Sequence, residues 1–274
     1  MQLTHHQGTS TQRMRRLLPF LLLICLAILP LRHDSTAPAA RPHPALAQLP
    51  TEIIWAWERP EDLRWLPPEV GVAYVASTIT LVGRQTVIHP RTVPLLLADG
   101  AAVVPVLHVD MAWRHPPKLS PDQSARIAAE LLRVATRANR HVVQLDFEVR
   151  RSQRPFLAAT IATIRSQLDP RIALSSTALA SWCLDDYWLK DSAADEIVPM
   201  AFRMGADQDG LRRRLLQQKG FKQQRCASAI GFSSDEPMMA VTPRRHYYFS
   251  PQAWTAASWQ ALREAPRSTS YTSL

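Results

Sequence analysis

Cysteine, glycine and long apolar runs are scarce in this sequence of 274 residues. It contains three cysteines and no CxxC pair or Cys/His spacing of the kind that binds zinc, so we predict no structural metal and no cofactor. Outside the apolar leader only Cys183 and Cys226 remain, and they are either one disulfide of an oxidising compartment or two buried thiols. Eight glycines stand beside 22 prolines, which indicates well-fixed turns.

The basic charge of the chain is partly terminal. The formal net charge is +9, but residues 1–47 hold five arginines against one aspartate, which leaves +5 for the rest. The densest basic run, Leu211 to Arg225, contains one aromatic residue and no nucleic-acid motif, so a helix with a solvated basic face explains most of it. Attraction to an anionic membrane surface or an acidic polysaccharide is the lesser alternative. We therefore predict no nucleic-acid partner.

The N-terminus predicts export. From Met14 to Leu31, two arginines precede an apolar run of about fifteen residues, shorter than the roughly 20 that a transmembrane helix needs. Residues 1–35 are therefore predicted to be a signal peptide, and 36–50 a Pro/Ala-rich linker that contains two A-x-A cleavage sites. The alternative is a retained anchor that tethers the protein to the membrane. Either way we expect a periplasmic protein, free or anchored to face the periplasm.

After the linker, apolar runs alternate with amphipathic stretches, as in repeated βα units. Eight strands and the helices between them predict an α/β fold of the (β/α)8 TIM-barrel type as one domain over residues 51–265, followed by a disordered tail, 266–274. Weak helical patterns after the first, second and fifth strands keep a distorted or incomplete barrel open, with a doubly wound sheet as the lesser alternative. The predicted strands are 52–57, 72–81, 103–110, 141–148, 172–182, 196–204, 228–232 and 246–249, and the clearest helices 121–140, 153–168, 209–219 and 254–264.

The fourth predicted strand, HVVQLDFE, ends in two acids. Because side chains alternate along a strand, Asp146 and Glu148 point to the same side, about 6 to 7 Å apart at the backbone. Paired carboxylates suit hydrolysis of a glycosidic bond, in which one acid protonates the leaving oxygen and another stabilises or attacks the sugar. This spacing does not choose between retaining and inverting chemistry. The competing interpretation of Asp146 is a carboxylate that caps the next helix.

Other polar residues follow the carboxyl ends of neighbouring strands, where barrel active sites form. His108 and Asp110 share one strand face, and Arg203 is predicted to hold a carboxylate ionised through a bidentate pair. The competing interpretations are a core or rim histidine and a structural ion pair, and a metal on His108, Asp110 and Asp146 has no recognisable spacing. We predict Asp146, Glu148 and Arg203 as catalytic residues; the predicted substrate-binding residues are Asp110, His108, Trp182, Glu58 and Glu236.

Three segments together, VVQLDFE, LSSTALASWCLDD and DEIVPMAFRMG, resemble the bacterial family called domain of unknown function 3142. The likeness runs from about Ile53 to Phe249. It implies an exported glycoside-hydrolase-like TIM barrel without an established activity, with Asp146, Trp182 and Arg203 in the signature segments. The family motif on the fourth strand reads D-F-D, whereas Glu148 fills the third place here. The D-F-E ending is also similar to the D-x-E of chitinase-like barrels, in which the Asp orients the substrate and the Glu is the acid.

Two hypotheses follow. The first is an exported glycoside-hydrolase-like barrel that acts on a bacterial envelope or extracellular polysaccharide, with Glu148 as general acid/base, Asp146 as its orienting partner and Arg203 tuning both. The second is a non-catalytic carbohydrate-binding or envelope-assembly factor. In both, the predicted partner is a polysaccharide or oligosaccharide.

Overall fold

Eight parallel strands close into a barrel in the computed structural model, which describes residues 42–138, 140–186, 188–243 and 245–269. The strands are β1 (Glu52–Ala56), β2 (Glu61–Asp62), β3 (Val70–Val82), β4 (Gln85–Pro90), β5 (Leu95–Leu96), β6 (Val103–Met111), β7 (Val142–Phe147), β8 (Ala173–Leu179), β9 (Glu196–Met200), β10 (Ala229–Ser233) and β11 (Arg245–Phe249). The α-helices are α1 (Pro44–Ala47), α2 (Pro121–Ala138), α3 (Arg154–Gln167), α4 (Ala180–Leu184), α5 (Gln208–Gln218) and α6 (Ala256–Glu264). Short 3-10 turns cover Arg151–Gln153, Trp188–Asp191 and Gln224–Cys226.

The strand order around the barrel is β1-β11-β10-β9-β8-β7-β6-β3, and β1 also pairs with β3. This last pairing closes the sheet, so the predicted TIM-barrel fold is confirmed and the open doubly wound sheet is excluded. All eight ladders are parallel. The eight predicted strands correspond to these eight.

The helical layer is incomplete, as the weak patterns suggested. β1 leads to β3 through the two-residue strand β2, and β3 leads to β6 through the antiparallel strand β4 and the short β5. The sequence analysis did not predict the β3–β4 hairpin. The predicted fifth strand, 172–182, ends early because α4 begins at Ala180, so Ser181 and Trp182 are helical.

Alternating residues of the barrel strands fill the interior, among them Ile53, Trp55, Val106 and Tyr247. The amino-terminal end of the barrel is closed by α1, whose Ala45 and Leu46 pack against this interior cluster. Residues 42–50 of the predicted linker therefore belong to the barrel structure.

A buried ion pair holds this closure. Glu196, the first residue of β9, pairs with Arg245, the first of β11, and its carboxylate also accepts hydrogen bonds from Tyr247 Oη and Ser175 Oγ, both at 2.9 Å. Arg245 Nε donates to the carbonyl of Pro50 at 3.0 Å. The pair is thus satisfied by hydrogen bonds on several sides, as a buried charge requires.

Cys183 on α4 and Cys226 in the third 3-10 turn form a disulfide, with Cα atoms 6.0 Å apart and a sequence separation of 43. The sequence left open either one disulfide or two buried thiols, and the structure contains the disulfide. It fixes two segments outside the strand ring, where the helical layer is thin.

The predicted signal peptide or anchor, residues 1–35, lies outside the described residues, as do residues 36–41 of the linker and 270–274 of the tail. Ser268, within the predicted tail, forms a bridge to Met239. No helix in the described part of the chain is long and apolar enough to cross a membrane.

Candidate active site

A cavity of about 590 Å³ opens at the carboxyl ends of the barrel strands. Five predicted site residues line it: His108, Asp110, Asp146, Glu148 and Arg203. Residues near the ends of β6, β7 and β9 therefore converge on one space, as the barrel topology dictates.

Strand alternation on β7 directs both acids into the cavity. Phe147 is buried in the layer under the helices, with its ring 6.2 Å from that of Phe156 on α3, and Val149 belongs to the same core. Because Phe147 and Val149 face outward, Asp146 and Glu148 face the mouth, as predicted.

Asp146 is locked by its two neighbouring strands. His108 stands directly opposite it on β6 and donates from Nδ1 to Oδ2 at 2.7 Å, while Thr177 on β8 donates from Oγ1 to Oδ1 at 2.6 Å. The residue is 5% exposed. Both carboxylate oxygens thus have a protein donor, which fixes the position of the side chain.

His108 bridges two carboxylates, since its Nε2 lies 3.3 Å from Asp110 Oδ2 while Nδ1 contacts Asp146. Burial alone would lower the pKa of the imidazole, but the hydrogen bonds to Asp110 and Asp146 and the attraction of their charges raise it to about 10. His108 is therefore an imidazolium at neutral pH. Its hydrogen bond in turn lowers the pKa of Asp110, which stays ionised.

Glu148 differs from the other two acids. Within the described part of the chain, no hydrogen bond or ion pair to its carboxyl is found, and the residue is open to the mouth. Surrounding protein atoms and the negative charge of Asp146 raise the pKa of Glu148, an effect that the positive His108 opposes. Glu148 therefore keeps its proton more readily than an ordinary glutamate does.

Arg203 reaches the cavity but holds a different acid from the one expected. Its guanidinium pairs with Asp235 at 2.7 Å and donates to Ser233 Oγ at 3.0 Å, and the described residues contain no salt bridge from it to Asp146 or Glu148. Arg203 therefore links the loops after β9 and β10, and it does not bind the two acids that it was predicted to tune. The cation that contacts Asp146 is His108.

The structure does not bring the remaining predicted residues to this cavity. Trp182 is 2% exposed and packs against Trp188, with ring centroids 5.1 Å apart. Glu236 pairs with Arg212 and lines a separate groove beside α6. Glu58 accepts a hydrogen bond from Thr78 at 3.2 Å and is not part of the cavity lining.

Sequence reasoning missed the apolar wall of the cavity, which consists mainly of Trp57, Met200, Phe202 and Phe249. The signal was present, since strict alternation from Trp55, whose side chain fills the barrel interior, places Trp57 on the inner side and Glu58 on the other. The same alternation on β9 and its extension leads from Met200 to Phe202.

Among the described residues, no group of three or more His, Cys, Asp or Glu side chains could hold a metal ion. The imidazole of His108 is already engaged by Asp110 and Asp146 on its two nitrogens. The cavity offers two carboxyl groups whose pKa values are shifted in opposite directions, Glu148 upward and Asp110 downward.

No family model matches the sequence, and no curated protein matches it. Among solved structures, the chain is similar to the Bacillus cereus spore cortex-lytic enzyme SleL, with 15% sequence identity and a TM-score of 0.45. The alignment covers 68% of this chain and 51% of that one, so this chain spans about half the length of SleL. At this identity and TM-score the likeness carries no conclusion about activity, and the resemblance to domain of unknown function 3142 stays a prediction.

Proposed function

We propose that the protein is a glycoside hydrolase that acts on a bacterial envelope or extracellular polysaccharide by carboxylate acid/base chemistry. The observation that carries this proposal is the contrast between Glu148 and Asp110 in one cavity. The pKa of Glu148 is raised and that of Asp110 is lowered. Two carboxyl groups whose pKa values are pushed apart are suited to act as acid and ionised partner.

In this reaction Glu148 protonates the glycosidic oxygen as the bond to the leaving sugar breaks, and then accepts a proton from the attacking water. The ionised Asp110, whose side chain is 64% exposed, stabilises the positive charge that develops on the sugar. Each carboxylate oxygen of Asp146 already accepts a hydrogen bond from the protein, so its role is to orient His108 and to add negative charge beside Glu148.

The apolar wall supports a sugar substrate. Pyranose rings present C–H groups on their faces, and indole and phenyl rings pack against such faces while hydroxyls meet polar groups nearby. Trp57 meets the imidazole of His108 edge-on at 5.6 Å, and Phe202 meets Phe249 at 4.9 Å. The aromatic wall and the acids therefore border the same space.

Export is part of the proposal. The apolar leader is typical of a signal peptide, and the Cys183–Cys226 disulfide is of the kind that persists in oxidising compartments. N-terminal sequencing of the protein recovered from the periplasm would test it. A start after Ala39 is expected for a cleaved leader, because cleavage after Ala47 would remove α1. A retained anchor should begin at Met1, or at Met14 if translation starts there.

The proposed chemistry is tested by incubating the purified protein with isolated bacterial envelope and measuring released glycan fragments. We expect release by the wild type and at least a hundredfold less by Glu148→Gln, because a general acid contributes about 10² to 10⁴ in rate. Glu69→Gln, which changes an exposed glutamate at the opposite end of the barrel, is the matched control and should retain release. Equal release by the wild type and Glu148→Gln would contradict the assignment.

One observation favours the alternative of a carbohydrate-binding or assembly factor without turnover. Asp146 on β7 is held by His108 and Thr177, so Glu148, just after the strand, is left as the one acid of this pair without a protein hydrogen bond among the described residues. Glycan binding by the wild type without any fragment release would support this alternative and reject the hydrolase.

A further inference from the structure

A solvent-exposed tryptophan stands at the edge of the candidate active site. Trp113 is 78% exposed and follows Asp110 and Met111, both of which line the cavity. Two residues of extended chain span no more than about 7 Å, so the indole lies at the rim. Exposing so much apolar surface is unfavourable, and a large exposed aromatic beside a cavity is typical of a binding surface.

The loop that carries Trp113 is fixed to its surroundings. The amide of Gly83, in the β3–β4 turn, donates to the carbonyl of His115 at 3.0 Å, and the amide of Lys118 donates to the carbonyl of Gly83 at 2.7 Å. Gln123, fully buried at the start of α2, donates to the carbonyls of Gly83 and Gln85. The rim is thus a built surface, with few backbone groups left to order on binding.

The two segments that form this part of the rim carry charge of one sign. Residues 82–90 and 111–119 contain no Asp or Glu, and Arg84, Arg114 and Lys118 are exposed. No salt bridge to these three side chains is found in the described ranges. The guanidinium of Arg114 lies 4.6 Å from the Trp113 ring centroid, so a cation and an aromatic surface are presented together. We call Arg84, Trp113, Arg114 and Lys118 the rim patch.

We propose that the rim patch is an outer subsite for a carboxylate-bearing polysaccharide, in which Trp113 packs on a sugar ring while Arg84, Arg114 and Lys118 bind the acidic substituents. This inference rests on the proposed function and names the substrate class. The acids of the cavity, Asp110, Asp146 and Glu148, share its lining with the cations His108 and Arg203, whereas the rim patch contains no acid. An acidic polymer therefore binds its carboxylates at the rim patch.

The test uses the full-length protein in the Glu148→Gln background, so that the probe is not cleaved. The probes are a galacturonic acid hexamer and its methyl ester, which have the same backbone and differ in charge. Binding is measured by calorimetry at 50 and 300 mM salt. We expect the acid to bind roughly tenfold more tightly than the ester at low salt, and the difference to shrink at high salt because exposed charges are screened.

Two variants locate the binding. Arg84→Glu/Arg114→Glu should weaken binding of the acid roughly tenfold and leave the ester unchanged, whereas Trp113→Ala should weaken both. The matched control, Arg126→Glu/Lys222→Glu, makes the same change in net charge at exposed positions outside the rim patch and should leave both affinities unchanged.

Equal binding of acid and ester, or equal loss in the rim and control variants, would overturn the inference. These outcomes are distinct from failure of the proposed function. Selective binding at the rim patch without fragment release by the wild type rejects the hydrolase alone, and release by the wild type without a role for the rim patch rejects the subsite alone.

Discussion

Replacing His108 by Gln should make the stability of the protein far less dependent on pH between pH 6 and pH 10. The pKa of His108 is raised from 6.5 to about 10 in the folded state by Asp110 and Asp146, which outweigh the opposing effect of burial. A raised pKa means that the folded state binds the proton more tightly than the unfolded state. The stabilisation is therefore fully present below pH 6.5 and is lost as the pH rises through about 10.

The size of the effect follows from the two pKa values. Each pKa unit corresponds to about 1.36 kcal/mol, so the difference between 6.5 and about 10 sets a ceiling of roughly 5 kcal/mol. Water screens the contact with Asp110, whose side chain is 64% exposed. The side chain of Asp146 is 7% exposed, so its contact with His108 is screened much less. We therefore expect the contacts of His108 to contribute on the order of 3 kcal/mol to the free energy of unfolding below pH 6.5.

The assay is urea unfolding of the wild type and His108→Gln at pH 6, 8 and 10. The difference between the two proteins is compared across pH, because the contributions of lysines and tyrosines that titrate in both cancel in it. The advantage of the wild type should fall by on the order of 3 kcal/mol from pH 6 to pH 10. In parallel, NMR of labelled histidines should show the imidazole of His108 still protonated at pH 8. A titration midpoint near 6.5 for His108, or a stability difference that does not change with pH, would refute the reasoning.

Other contacts make separate predictions. Thr177→Val removes a donor to the buried Asp146 and should lower the free energy of unfolding by about 1 to 3 kcal/mol in urea, with Thr177→Ser nearly unaffected. Replacing Cys183 and Cys226 together by Ser opens a loop of 43 residues and should cost up to about 4 kcal/mol in the same assay, and a reduced wild-type sample should show a similar loss. Arg245→Met leaves its buried glutamate partner unpaired and should cost about 3 to 5 kcal/mol in the same assay.

The barrel could be predicted because its signals are local. Short apolar runs with β-branched residues give the strands, and period-two alternation gives the face on which Asp146 and Glu148 lie. The end of β8 was not predictable in this way, since Ser181 and Trp182 continue the same apolar pattern into α4. Whether such a segment is strand or helix depends on the core it meets, here the ring of Trp188.

Which side chains contact each other across neighbouring strands depends on the register of the strand pairing, and the sequence alone does not determine that register. His108 lies opposite Asp146 on β6, and Thr177 lies beside it on β8, so the lock on Asp146 needs both ladders. The same holds for Arg203, whose carboxylate partner comes from the loop after β10. The sequence could place Arg203 at the mouth, but the choice among the available acids is made by the fold.

One imidazolium gives three carboxyl groups of the site different properties. Because His108 faces Asp146 across the β6–β7 ladder and lies two residues before Asp110, it donates one hydrogen bond to each acid, which fixes the position of Asp146 and keeps Asp110 ionised. Glu148 receives neither bond, and its desolvation by surrounding protein atoms, together with the charge of Asp146, raises its pKa. A glutamate at this position is one methylene longer than an aspartate, so its carboxyl group stands farther from the strand than that of Asp146. Glu148 thus combines a longer reach with a raised pKa, which is the combination that protonation of a bound glycosidic oxygen requires.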